Sequence, residues 1–248
     1  MKNTLLFILT ISLVLILPEI SACAVSKSNP GRDGSEKKFI TVTKDSLFII
    51  SENEECYVKI YYPVLNTEKP DEIIDSLNSF LKTEFTSLPE FYDINNCGPD
   101  YHFTYEASFE VKYADDKYLS IVFSFYEYSG GAHGNFASTA YNLDLKTGKR
   151  LMLGDIIRDN AFEKLTSLTV ESLLRKFNSA SLTEAGMFED TLIISQTQDY
   201  FLSENGITIQ FDPYEIAPYY IGEIEADIGK QEILEILKPE LINIFQKN

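Results

Sequence analysis

The stretch YSGGAHGN, residues 128–135, gathers three glycines and one of the chain's two histidines into eight residues. Those residue types permit three kinds of chemistry. His133 can serve as a base if an acid orients it and a nucleophile stands beside it. Successive backbone N–H groups of a turn through Gly130, Gly131 and Gly134 can form a nest for an anion. The flanking Tyr126, Tyr128 and Phe136 offer ring faces to a sugar or a partner surface. The stretch can equally be a tight connection between strands, because glycine takes φ > 0 at no steric cost and a histidine there can bond the neighbouring backbone. A second stretch, DPYEIAP at residues 212–218, brings Asp212, Tyr214 and Glu215 into another turn. On the binding reading, the two turns are close enough in type to make a composite acidic and aromatic site. Its candidate residues are Tyr128, Gly130, Gly131, His133, Gly134, Asp212, Tyr214 and Glu215. The competing reading of DPYEIAP is a proline-fixed turn with its tyrosine packed on the core.

Catalysis is the less favoured use of these residues. His102 falls within an expected strand between Tyr101 and Phe103, which leaves His133 as the one histidine placed for chemistry. No GxSxG or HExxH pattern occurs, and a metal at His133 needs ligands that only carboxylates can supply. No catalytic residue, metal ligand or cofactor is therefore assigned. The alternative, kept for comparison, is a peptidoglycan or glycan hydrolase or deacetylase using His133 with nearby carboxylates.

The N-terminus bears on location. It begins MKNTLLFILTISLVLILPEISAC, with Lys2 ahead of an unbroken apolar run from Leu5 to Leu17. Such a run spans only ~20 Å as a helix, short of the ~30 Å hydrocarbon core, so a removable export signal over residues 1–22 is expected. ISAC, ending at Cys23, resembles a bacterial lipobox, which implies lipidation of Cys23. An ordinary signal peptide that leaves Cys23 as a spare thiol is the other reading. Ala24, in place of aspartate, carries no mark for inner-membrane retention by lipoprotein rules. Residues 23–38, polar and rich in Ser, Gly and Pro, read as a flexible tether with a reach of ~20 Å.

The formal charge is −17, and removal of Lys2 and Glu19 with the signal leaves it unchanged. That acidity argues against nucleic acid as a partner and against direct attraction to anionic headgroups; a covalent lipid would hold the protein at the membrane. It attracts a cationic partner. Cys56 and Cys97, in an oxidising compartment, can form a disulfide closing a loop of about 40 residues; whether they pair is open from spacing alone.

The elements that position these residues follow from periodicity. Residues 39–50 and 56–65 are rich in β-branched and aromatic types and read as strands. In DEIIDSLNSFLKTEF, Ile73, Ile74, Leu77, Phe80, Leu81 and Phe85 recur at helical spacing. Two long strands follow on either side of Asp115 and Asp116. In the second, Leu119, Ile121, Phe123 and Phe125 share one face, and Ser120, Ser124 and Tyr126 the other. SGGAHG then connects to a strand in NFASTAYNLDL, and KTGK makes the next turn. A helix around residues 161–177, a hairpin at Asn205 and Gly206, a strand and a short helix complete the chain. The order predicts an α+β fold of antiparallel sheets with helices packed on one face, in two associated subdomains.

YSGGAHGN, YNLDLKTGKRLMLGDII and FLSENGITIQFDPYEIAPYYIGEIEADIGKQEIL together resemble the C-terminal domain of RsiV, a lysozyme-sensing anti-sigma factor type shared with envelope lipoproteins. The preceding CYVKIYYPVL, its helix and YHFTYEASFEVKYADDKYLSIVFSFYEY resemble the domain that precedes the catalytic domain of PdaC-type peptidoglycan deacetylases. The resemblance implies a PdaC-type domain over residues 39–128 and an RsiV-like domain over 129–240. It implies a lipid-anchored, non-catalytic envelope sensor or binding protein, on the outer membrane or periplasmic side where two membranes exist. The implied partner is a lysozyme-like cationic protein or a cell-wall glycan. The metal-binding His and Asp segment of the deacetylases does not follow Leu237, and the sigma-binding segment has no counterpart, so neither activity is expected.

Overall fold

A computed structural model of the chain describes residues 40–88 and 92–245. The expected signal segment, the tether, Cys23 and Phe39 lie outside the described residues.

Strand β1 (Ile40–Ile50) pairs antiparallel with β2 (Cys56–Thr67). Helix α1 (Glu72–Thr86) then crosses back over the sheet. It starts where Asp71 accepts from the backbone N–H groups of Ile73 and Ile74, a cap that satisfies two amides the helix cannot bond itself. The helical spacing read from the sequence buries Ile74, Leu77, Leu81 and Phe85. Because α1 returns the chain to the same end of the sheet, β3 (Phe103–Ala114) runs parallel to β2, from Cys56 opposite Phe103 to Ile60 opposite Ala107. The first sheet is therefore mixed, a correction to the antiparallel expectation; alternation fixes which face a side chain takes, not the direction of the neighbouring strand. His102 lies just before β3 and not within it.

β3 pairs antiparallel with β4 (Tyr118–Tyr128), and β4 with β5 (Asn135–Asp144), which carries the short β6 (Lys149–Arg150) at its edge. The six-stranded sheet, in the order β1-β2-β3-β4-β5-β6, runs straight through the 128/129 division expected from sequence. After α2 (Leu153–Ile156), helix α3 (Phe162–Phe177) precedes a second, antiparallel sheet of β7 (Tyr200–Ser203), β8 (Gly206–Phe211) and β9 (Ile224–Gly229), closed by α4 (Lys230–Leu234).

One face of the first sheet, with Leu119, Ile121, Phe123 and Leu143, packs on α1. The opposite face is not left to solvent. Ser120 and Asn142 on that face are buried and receive β7. Ser120 Oγ lies 2.5 Å from Asn142 Oδ1, Asn142 Nδ2 donates to the Tyr200 carbonyl at 2.6 Å, and the Leu202 N–H donates to Ser120 Oγ at 3.0 Å. Val122, Ala140 and Phe201 pack beside them. The expected covering of one face by helices is thus completed by a second sheet on the other.

Candidate functional site

The glycine turn joins β4 to β5, as its composition predicts, and each glycine has its own reason. Gly130 and Gly131 sit at φ near 100°, where a side chain is strained. Gly134 is buried, and a Cβ there would lie 2.5 Å from the Glu127 carbonyl and from the Tyr126 ring; close packing, not a positive φ, demands glycine at this position. Tyr128 donates its hydroxyl to the Gly131 carbonyl at 3.1 Å and so braces the turn.

His133 is exposed and bonded to backbone. Its Nδ1 is 2.8 Å from the Gly134 carbonyl, which can only accept, so the ring donates from Nδ1. The ring stacks on Tyr219 with centroids 4.5 Å apart and planes 21° off parallel. Tyr219 donates its hydroxyl to the same Gly134 carbonyl at 2.7 Å, and its ring also meets Phe136 at 5.4 Å and Tyr214 at 5.5 Å. Four rings from two stretches distant in sequence thus form one cluster, and Tyr219 is its hub. The sequence offered little to single out Tyr219: it follows Pro218, which fixes its entry into a short 3₁₀ turn, but it is one of fifteen tyrosines. Tyr214 occupies φ 70°, rare for a bulky residue, and stays 58% exposed. Its N–H donates to the Ala217 carbonyl at 3.1 Å, which fixes the turn that presents the ring.

Carboxylates lie beside the rings. Asp212 accepts from the Ser138 N–H at 2.9 Å, and this bond ties the second turn to β5. Glu215 accepts from the Asp212 N–H at 2.9 Å and, through its other oxygen, from Gln198 Nε2 at 2.8 Å. Beneath them the buried Gln210 donates to Glu223 at 3.0 Å and to the Ser138 hydroxyl, which itself donates to Glu223. Burial pushes the Asp199 carboxyl up to about 6, with Asp212 and Glu215 adding repulsion and Arg150 opposing it. Burial, then the charge of Glu215, also raises Asp212; desolvation, then the charge of Asp212, raises Glu223. Burial is the largest cause of all three shifts, and repulsion among neighbouring carboxylates adds to each, next to the aromatic cluster.

The structure therefore brings together His133, Gly134, Asp212, Tyr214 and Glu215 from the sequence-derived set. Tyr128, Gly130 and Gly131 shape the turn beside them. Cys56 and Cys97 form a disulfide, with Cα atoms 6.0 Å apart. Among the described residues, no group of three or more His, Cys, Asp or Glu converges in a way that holds a metal ion.

Two family models match the chain in tandem. Residues 50–136 match the family described as deacetylase PdaC, and residues 154–231 match the protein family of unknown function DUF3298. The chain carries a PdaC-type domain followed by a DUF3298 domain. The peptidoglycan-N-acetylmuramic acid deacetylase PdaC of Bacillus subtilis (strain 168) is 26% identical over 199 residues, which is 79% of this chain and 42% of that protein. The chain thus spans less than half the length of this curated relative. A DUF3298 structure from Bacteroides fragilis NCTC 9343 superposes with a TM-score of 0.67 at 20% identity, covering 84% of this chain and 96% of its own. One from Pseudomonas aeruginosa PAO1 gives 0.64 at 23% identity, covering 86% and 99%. Both share this fold. His133 and Phe136 fall inside the first matched region and Tyr214 and Tyr219 inside the second, so the ring cluster sits where the two domains join.

Proposed function

We propose that this chain is an exported, non-catalytic binding module of the cell envelope. It captures a cationic partner on the face built from His133, Phe136, Tyr214 and Tyr219 with Asp212 and Glu215. The observation that carries this reading is Tyr219, which locks a partly exposed aromatic cluster across two domains beside carboxylates whose charges repel one another. A cation relieves that repulsion, and aromatic rings supply desolvated contact area that surface charge alone does not. Peptidoglycan in the name of the B. subtilis relative, together with the export-like N-terminal sequence, supports an envelope location, with Cys23 as the lipid anchor. A lysozyme-like cationic protein fits the face better than a neutral cell-wall glycan, because the acidic groups favour positive charge.

Calorimetric titration with lysozyme in about 0.15 M and then higher salt tests the reading, since the Debye length is already about 8 Å at the lower value. Binding that survives the added salt and weakens about tenfold or more in Tyr219→Ala or Tyr214→Ala is expected. Binding that disappears with salt and ignores both substitutions defeats it, and titration with peptidoglycan fragments in the same format shows whether a glycan is the ligand instead. Mass spectrometry of the mature N-terminus, beside a Cys23→Ser form, checks the anchor.

The relative's name favours a second reading, a peptidoglycan deacetylase centred on His133. Against it, the Nδ1 position that a catalytic carboxylate would occupy is engaged by the Gly134 carbonyl. Release of acetate from peptidoglycan by the purified chain, abolished in His133→Ala, would establish that reading.

A further inference from the structure

Beside Glu215 and Ile216 lies a groove of about 290 Å³ whose lining includes none of the ring cluster. Leu182, Met187, Leu192 and Ile216 contribute apolar atoms to a lining that is on balance polar and includes Glu189 and Glu215. Its two sides are held together by the backbone: the Phe188 N–H donates to the Ile216 carbonyl at 2.9 Å. The loop on one side is fixed by Asp190, which accepts from the Thr183 N–H at 2.8 Å and from its hydroxyl at 2.9 Å. The groove is therefore preformed. Phe188, which also lines it, is 53% exposed, and Ile193 beside it on the chain is 86% exposed.

We infer that this groove is a second subsite, joined to the ring cluster through Glu215, which takes one bulky apolar side chain of a polypeptide whose neighbouring residues are lysine or arginine. The inference rests on the proposed capture of a cationic partner and specifies the partner's sequence chemistry. At about 290 Å³ the groove falls just below the ~300–1,000 Å³ typical of small-molecule sites, a size suited to a single large side chain. Its lining contains two carboxylates and no lysine or arginine, which repels a fatty acid or an anionic lipid. A second copy of this chain is disfavoured by its own formal charge of −17. Glu215 belongs both to this lining and to the turn that presents Tyr214, so a basic residue at Glu215 would place its neighbour's side chain in the groove and leave the flanking segment over the rings. Met187, with its unbranched thioether, lets the wall adapt to different apolar shapes.

Three dye-labelled peptides test this by fluorescence anisotropy on the full chain. One carries a central phenylalanine flanked by lysines, one has serine in place of the phenylalanine, and one has glutamate in place of the lysines. The wild type should bind the lysine and phenylalanine peptide about tenfold more tightly than its serine counterpart, the gain from burying one ring. Phe188→Ser, at an exposed position, and Thr191→Trp, which crowds the groove from its lining, should both erase that preference, while Tyr219→Ala should weaken both lysine peptides and preserve it. Equal binding of the phenylalanine and serine peptides, with dependence on Tyr219, overturns the groove and leaves the aromatic face standing. A preference lost in the groove variants, with the affinity for both lysine peptides unchanged by Tyr219→Ala, upholds the groove and removes the aromatic face. Equal binding of the glutamate peptide, or no binding of any peptide, overturns the inference.

Discussion

Tyr219 shows how a single side chain can create a site from parts that are separately unremarkable. Its hydroxyl and the His133 ring both engage the Gly134 carbonyl, so the backbone of one turn orients two rings that stack on each other. Asp199 makes the electrostatic side of the same argument measurable. Its carboxyl is raised to about 6 from an ordinary 3.8 because burial and the charges of Asp212 and Glu215 disfavour ionisation. The folded state therefore holds the proton to higher pH than the unfolded chain does. The stabilisation linked to that proton is complete below about 3.8 and is lost as pH rises through about 6. Asp199→Asn should remove this loss, so its stability relative to wild type should climb between about pH 4 and pH 7 in denaturant titrations. A difference that stays flat across that window would mean that Asp199 is not held in its raised state.

At the scale of elements, turns do the positioning and strands supply the frame. The segment between α1 and β3 is anchored by the Cys56–Cys97 disulfide, with Asn53 Nδ2 donating to the Cys97 carbonyl at 2.9 Å. The cross-link spans 41 positions and restricts the unfolded chain, which the loop-entropy model values at about 4 kcal/mol. Cys97→Ser should lose about 2 to 4 kcal/mol in chemical denaturation, and a reductant should lower the wild-type midpoint while leaving the variant unmoved. An unchanged wild-type midpoint under reduction would show that the link does not contribute. Much of this level was legible in residue order: the period of α1, the glycine turn and the strand alternation all follow from local chemistry. The parallel β2–β3 pairing was not, since a strand buried on a sheet carries the same alternation whichever way its neighbour runs.

For the molecule as a whole, the face proposed to bind a partner exists only because the second sheet docks on the first. That docking is polar at its centre. Asn142, buried in β5, bonds the Tyr200 carbonyl and lies 3.2 Å from the Leu202 N–H, so it joins β5 to the β7 backbone. Asn142→Ala strands the Tyr200 carbonyl in a buried setting and should cost about 2 to 3 kcal/mol. Because Ser138 of β5 holds Asp212 and Gly134 holds Tyr219, the same substitution should weaken partner capture even though it touches no ring. Retained stability, read from the denaturation midpoint, would place the coupling in the apolar contacts of Val122, Ala140 and Phe201 instead.

Residue order alone determined the α+β character, the acidity, the turn chemistry around His133 and the helical and strand faces, because each depends on neighbours a few positions apart. It also marked Asp212, Tyr214 and Glu215 as a turn worth watching. Only the tertiary structure decided that this turn meets the glycine turn, and that the meeting point is Tyr219, 85 positions from Gly134. It also decided that Ser120 and Asn142, on the face of the first sheet opposite α1, are buried by a second sheet. Such contacts follow from how two sheets pack, and no local spacing encodes them.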